Sequence, residues 1–394
     1  MKFCLITNLY PPYVRGGAER VVELLVQGLR ARGEVLLITT QPDDILDDAT
    51  EEGFEIYRIN PLNSYYLLDE QPRSVWDKIK WHWSDFFNPW VQKEIYHLLK
   101  KRRVDVVLTH NLKGLSLGLP KVIRKLGLPH IHTLHDYQLL EPHGSMFRSG
   151  QNVDLKGMAY VLYRWLSRYF FKNPGVVISP SRFALDLHLK YGFFKKSKTM
   201  VLPNPAAGHD QLKIKPRLTS DKLRLLYLGQ LEPAKGVLWL AENFSQWDDA
   251  RVELTIAGEG SQLAEIKKMA GPRIKVLGKV TRENLAELFA RCDLLVLPSI
   301  WQENSPLVIY EAYQHGLPVL VADAGGAKEL VKEGETGWVF KANNQADLLA
   351  KLKLALAKKD SLSAMGQAGR AYVQQFFLNN YLTKLIALCE NLKK

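Results

Sequence analysis

The chain has 394 residues, 46% of them apolar, and carries 53 Lys and Arg against 41 Asp and Glu, a formal net charge of +12. That length suits two globular domains better than one core, and the longest stretch free of charged residues, Ala371 to Thr383, is too short to span a bilayer. Cys4, Cys292 and Cys389 lie far apart, which argues against a disulfide framework or a paired-cysteine zinc site; with no secretory leader before the first strand, a reducing, cytoplasmic setting is the default.

The basic excess is local. Residues 101–200 hold 17 Lys and Arg against five Asp and Glu. Such a field either attracts an anionic partner (a membrane surface, a phosphorylated lipid or nucleic acid) or is a set of solvated helix faces. No nucleic-acid-binding motif accompanies it, so nucleic acid is not the expected partner.

In chain order, Lys2–Thr7 reads as a buried parallel strand that leads through "NLYPPYVRGGAER" into an amphipathic helix ending near Gly33. Gly16 and Gly17 lie in the turn, where the backbone can approach a ligand closely or simply turn tightly. Further strands are expected at Val35–Thr39, Phe54–Ile59, Val104–Thr109, His130–Leu134 and Val176–Ser179, with helices between most of them. Alternation of this kind gives a mostly parallel sheet with ligands beyond its carboxyl ends. That rule selects Asn8, His110, His135, Asp136 and Ser181, and Arg182 follows directly. Two stretches, Trp76–Arg103 and Met158–Lys172, mix aromatic and basic residues. They suit either a core or a membrane interface.

The polar, proline-bearing text from Pro203 to Lys222 reads as a linker. A second alternation follows, with strands expected at Leu223–Leu228, Val252–Ala257, Ile274–Leu277, Leu294–Pro298 and Pro318–Ala322. The turns after its first two strands are "GQLEPAKG", with Gln230 and Lys235, and "AGEG", with Gly258 and Glu259. Lysine at such a place can reach a phosphate, and glycine turns let a nucleotide come close.

The densest signal is "WQENSPLVIYEAYQHGLPVLVADAGGAKELVKEGETGWVF", Trp301 to Phe340. Ser305 fits an N-cap, Pro306 the first helical position and Gly316 the stop, which predicts a helix of two to three turns. Its N-terminus suits a phosphate or diphosphate. Glu303 lies just before that end and Glu311 inside the helix, eight residues on. An anion could therefore bind between two carboxylates.

Together, "GGAER", "TLHDY", "VISPSRF", "VLPNPA", "YLGQLEPAKG", "IAGEG", "LPSIWQENSPLVIYEA" and "GGAKELVKEGETGWVF" closely resemble the family 4, or group 1, retaining glycosyltransferases of the GT-B fold. The E-x7-E spacing of that family is met by Glu303 and Glu311. The resemblance implies two Rossmann-like α/β domains with parallel sheets facing a central cleft: residues 1–207 for the acceptor, 208–376 for the nucleotide sugar, and a last helix, about 377–394, crossing back. It implies that Glu311 holds the donor ribose, that Glu303 contacts the transferred sugar, that the backbone near Ser305, Pro306 and Leu307 meets the diphosphate, and that Gln230 and Asn304 are among the donor-binding residues. Lys235 would neutralise the leaving group, Gly16, Gly17, Gly258 and Glu259 would face the donor, and His135 would touch the sugar. Asp136, Ser181 and Arg182 are acceptor-side candidates. The implied reaction is a retaining, metal-independent transfer to a glycan or lipid-linked acceptor in polysaccharide or glycolipid synthesis, by a cytoplasmic protein at the inner membrane face. The nucleotide sugar, with UDP or GDP as the expected carrier, is a substrate, so no cofactor is expected. Gln230 departs from the arginine that the family commonly has there, which keeps open a second reading: a catalytically weak nucleotide-sugar-binding protein or partner subunit of the same fold.

Overall fold

The computed structural model describes residues 1–42, 47–51, 53–69, 71–148, 150–208, 215, 216, 218 and 220–393. It divides into two compact units, unit 1 with Met1–Ser145, Asp154–Pro205 and Leu378–Lys394, and unit 2 with Met146–Val153 and Ala206–Phe377. The expected linker falls in part, at 209–214, 217 and 219, outside the described residues.

The chain runs β1 (Lys2–Ile6), α1 (Gly17–Arg30), β2 (Glu34–Thr40), β3 (Asp47–Glu51), β4 (Phe54–Ile59), α2 (Val75–Phe86), α3 (Pro89–Arg102), β5 (Val106–Thr109), α4 (Leu119–Lys125) and β6 (His130–Thr133). After a small hairpin of unit 2, β7 (Phe147–Arg148) and β8 (Gln151–Asn152), it continues with α5 (Met158–Phe171), β9 (Val176–Ser179), α6 (Arg182–Lys190) and β10 (Lys198–Val201). The sheet of unit 1 has the order β10-β9-β6-β5-β1-β2-β4-β3, and the edge strand β3 pairs antiparallel to β4. Its central strands are short apolar runs buried along almost their whole length, as expected for strands covered on both faces. Helix α1 buries Val21, Val22, Leu25, Val26 and Leu29, one stripe at helical spacing.

Unit 2 comprises β11 (Leu223–Leu228), α7 (Val237–Gln246), β12 (Val252–Ala257), α8 (Leu263–Lys268), β13 (Ile274–Gly278), α9 (Arg282–Ala290), β14 (Leu294–Leu297), α10 (Leu307–Gln314), β15 (Val319–Ala322), β16 (Gly337–Phe340), α11 (Gln345–Ala357) and α12 (Leu362–Val373). Its all-parallel sheet runs β13-β12-β11-β14-β15-β16. Alternate residues of β11 feed two cores, Leu225 and Tyr227 on one face and Leu226 on the other. The last helix, α13 (Leu378–Lys393), belongs to unit 1, where it buries Tyr381, Leu382, Leu385 and Cys389 and where Lys393 reaches Asp105 at 2.5 Å. In each unit the strand order reverses beside its first strand, between β1 and β5 and between β11 and β14. Open parallel sheets bind ligands at such reversals.

Candidate active site

In unit 2 the loops leaving β11 and β14 flank the reversal. The first ends in the 3-10 turn Pro233–Lys235, and Gly236, at φ +67°, starts α7. A side chain there would run into the carbonyl of Pro298, so glycine is what lets the two loops touch. They are laced further by the amides of Ile300 and Trp301, which donate to the Ala234 carbonyl at 3.0 and 3.2 Å. The result is a close pair from residues far apart in sequence. Lys235 Nζ lies 2.8 Å from Glu303 Oε1, which also accepts from Ser299 Oγ at 2.7 Å. The Glu303 side chain is 5% exposed and that of Lys235 20%, so the carboxylate is fixed while the ammonium keeps an open side. The ammonium also sits 4.5 Å from the centre of the Trp301 ring. Three donors on one ammonium allow it to hold Glu303 and still meet a ligand anion.

Glu303 is pinned through its backbone as well. Gly326 N donates to Glu303 O at 2.6 Å, and Gly325, at φ +69°, bridges Glu303 so closely that a side chain would overlap its backbone. Helix α10 begins at Leu307, with Pro306 as its N-cap, so the expected capping by Ser305 does not occur. The Ser305 hydroxyl is instead paired with Tyr310 Oη at 2.7 Å inside the core, and the helix starts one residue later than expected. The first amides of α10 still lack partners within the helix and carry its positive pole. Glu311 is half-buried within α10, and Asn304 is buried next to Glu303. The second turn is tied to the first. Leu231 N donates to Glu259 O at 2.7 Å, and the Glu232 carboxylate accepts from Ser261 N at 2.9 Å and Ser261 Oγ at 2.6 Å. Gly258 N donates to Gly278 O at 2.8 Å, the Glu259 side chain lies 3.4 Å from Lys279, and Gln230 is exposed.

In unit 1 Asn8 links the loops after β1 and β5, its amide donating to Asn111 O at 2.8 Å and its Nδ2 to Lys113 O at 3.0 Å. Gly17 opens α1, and Gly16 N donates to the buried Glu19 carboxylate at 2.8 Å, so that amide already has an anion. His135 Nε2 lies 2.8 Å from His110 Nδ1, with the rings stacked. Burial holds His135 down at about 4, so both rings are neutral at neutral pH and one must donate to the other. Burial likewise raises Asp136 to about 6 and Asp85 to about 7. Ser181 serves α6 as its N-cap, accepting from Ala184 N at 3.2 Å, and Arg182 is exposed as the first residue of that helix.

These shifts set the acid behaviour of unit 1. Burial holds His130 at about 3 and His188 and His82 at about 4, below the ~6.5 of an unfolded histidine. The unfolded chain therefore binds the extra protons, and stability that is complete above ~6.5 is lost as pH falls toward 4. Asp136 and Asp85, with raised values, act in the opposite sense and lose stability as pH rises through about 4 to 7. The histidines outnumber them. The urea midpoint is thus expected to drop between pH 7 and pH 5, and an unchanged midpoint over that range would count against neutral buried imidazoles.

Two family models match the chain, "Glycosyl transferases group 1" over residues 209–372 and "Glycosyltransferase Family 4" over residues 15–206. The chain belongs to the group 1, family 4 glycosyltransferases. It is similar to an uncharacterized 42.6 kDa protein in the cps region of Klebsiella pneumoniae, 28% identical over 84% of this chain and 87% of that one. It is also similar to the Escherichia coli UDP-Gal:alpha-D-GlcNAc-diphosphoundecaprenol alpha-1,3-galactosyltransferase, 27% identical over 64% of this chain and 66% of that one. Among solved structures it matches sucrose-phosphate synthase from Thermosynechococcus elongatus with a TM-score of 0.75 at 19% identity, covering 99% of this chain and 98% of that one. A second is HepE from Anabaena in complex with UDP, with a TM-score of 0.72 at 18% identity, covering 99% and 100%. The fold is therefore GT-B.

In this glycosyltransferase the Glu303–Lys235 pair could be foreseen only as two separate loop residues. Ser299, Trp301, Gly325 and Gly326 join the site beyond the sequence expectations, although "ADAGGAKEL" around the end of β15 repeats the strand-then-glycine pattern of Gly16 and Gly17.

Proposed function

We propose that this glycosyltransferase moves a sugar from a nucleoside diphosphate donor to a glycan or lipid-linked acceptor at the inner membrane face, with retention of configuration and without a metal. The observation that carries the reading is the Lys235–Glu303 pair at the strand-order reversal of unit 2, beside the amino end of α10. Breaking the bond from the anomeric carbon to the diphosphate leaves negative charge on the phosphate and cationic character on the ring. Lys235 and the first-turn amides of α10 meet the former, and the fixed Glu303 carboxylate lies on the side of the latter. Glu311 holds the ribose. The acceptor oxygen bonds to the anomeric carbon on the face that the diphosphate leaves, and its proton goes to the departing phosphate oxygen.

UDP is the first candidate carrier, a choice supported by similar proteins, one named for UDP-Gal and one solved in complex with UDP. Thermal shift with UDP, GDP, ADP and dTDP tests it: one nucleotide at a hundred times its Kd adds about 2.7 kcal/mol of stability, and the others far less. No shift with any of them would remove the reading. Gln230 stands exposed on the loop that carries Lys235. Gln230→Arg adds a fixed cation for the diphosphate and is expected to raise kcat on the order of threefold to tenfold. A lower kcat would mean that glutamine is the fitted residue here.

A further inference from the structure

Helices α2 and α5 of unit 1 each carry two apolar faces. The inward faces bury Trp81 and Phe86 on α2 and Tyr163 and Phe171 on α5, and the helices meet through Phe86 and Tyr163, with ring centroids 5.1 Å apart. The outward faces repeat at the same helical spacing. On α2, Trp76, Ile79 and Trp83 are 72%, 52% and 60% exposed. On α5, Leu162, Trp165 and Tyr169 are 58%, 55% and 56% exposed, with Trp165 and Tyr169 stacked on each other. Phe87, just past α2, approaches Phe170 of α5 with centroids 6.1 Å apart and joins the two stripes. At ~200 Å² for a large side chain the exposed area is several hundred Å², beyond what a soluble surface leaves bare without use.

We propose that this face docks on an anionic lipid bilayer, with α2 and α5 lying in the plane of the interface. Three observations select lipid over other occupants. Tryptophan and tyrosine dominate the face, and such rings, apolar in body and polar at one edge, settle at headgroup depth. Its exposed charges are mainly basic. Lys78 and Lys80 are exposed on α2, Lys156 precedes α5 and Lys172 follows it, and no Asp or Glu occurs between Asp154 and Asp186. On α2, Asp77 is engaged with Ser74 and Asp85 is buried. A second copy of this chain would bring the same lysines against themselves, whereas an anionic headgroup layer neutralises all of them. Neither helix could instead insert across the membrane. They have 12 and 14 residues, and no helix among the described residues is long and apolar enough to cross.

The inference deepens the reading of a lipid-linked acceptor, and its readout needs no activity. The full chain is sedimented with vesicles of phosphatidylcholine alone and of phosphatidylcholine mixed equally with phosphatidylglycerol, while brominated acyl chains report tryptophan depth. Expected are binding to the mixed vesicles, quenching by the bromines, weak binding to phosphatidylcholine alone, and a partition coefficient lower on the order of tenfold for the Trp83→Ser, Trp165→Ser double variant. An unchanged melting temperature shows that the variant is folded, and retained donor binding separates a failure here from a failure of the transferase reading. Absence of sedimentation with anionic vesicles at low salt would overturn the proposal. So would equal binding by the double variant, or a lipid-free dimer by light scattering that the same substitutions dissociate, which would give the face to a second copy.

Discussion

Lys235→Ala is expected to lower kcat by two to three orders of magnitude, about what the loss of one preorganised charge-stabilising donor costs an acyl-transfer enzyme. The leaving diphosphate loses its point charge, and Glu303 loses its cation while staying buried at 5% exposure. Removing one partner of a fully buried pair costs about 3–5 kcal/mol. The open side of Lys235 lets water screen part of that, so about 1–3 kcal/mol of stability is expected to go with the activity. Two measurements separate the effects. Urea denaturation gives the stability loss of Lys235→Ala, Glu303→Gln and their combination, and the double variant should cost less than the sum because the second change removes a charge already abandoned. Turnover should not recover in the double variant, since neither role at the reacting sugar is restored. A Lys235→Ala protein with turnover within threefold of the parent would show that the diphosphate is neutralised elsewhere.

Gly325→Ala is expected to be as damaging from outside the reacting centre. Its φ of +69° costs an alanine about 1–2 kcal/mol, and the added methyl would overlap the backbone of Glu303. The loop must yield, and it is the loop whose carbonyl accepts from Gly326 and whose side chain holds Lys235. Destabilisation of unit 2 by about 2–4 kcal/mol and a hundredfold or larger fall in kcat/KM follow, because a misplacement of about 1 Å at a reacting centre can cost that much. Gly334→Ala is the control: it also has positive φ, at +75°, but no atom lies within 4 Å of the added carbon. Its activity should be retained. Equal loss in both variants would reduce the effect to backbone strain alone.

Where the sequence was legible, the reason is burial. Val176–Ser179, Leu223–Leu228 and Val252–Ala257 match their strands end to end because they are dominated by buried apolar residues, with Arg224, Glu253 and Thr255 only at half-buried positions. The strands not foreseen in the two large sheets, β3, β10 and β16, are all edge strands, where one side lacks a partner and polar or short text suffices. "DDATE" has no periodicity to read, and "KTMV" has no fully buried residue. The aromatic stretches left two fates open, and the structure divides them: Trp81 and Tyr163 inside, Trp83 and Trp165 outside. Composition cannot make that division, because both faces of α2 and α5 are apolar.

The site followed the same pattern. Strand ends and glycine turns were readable because loop chemistry is local, and they pointed to Lys235, Glu303 and Glu311 one by one. That Lys235 and Glu303, 68 residues apart, form a single pair depends on β11 and β14 being neighbours, a property of sheet order that no local pattern encodes. The start of α10 departs from the local signal for a similar reason. Ser305 has the right chemistry for an N-cap, but Tyr310 Oη, which the fold brings to 2.7 Å, competes for its hydroxyl.

The most direct test follows the first-formed anomer by proton NMR, using the donor that the nucleotide screen selects, with a chelator present throughout. Sugar released to water or passed to an acceptor is expected to keep the donor's anomeric configuration, at an undiminished rate, and Lys235→Ala is expected to slow its release by two to three orders of magnitude. An inverted first product, or activity that the chelator removes, would contradict a retaining, metal-independent transfer.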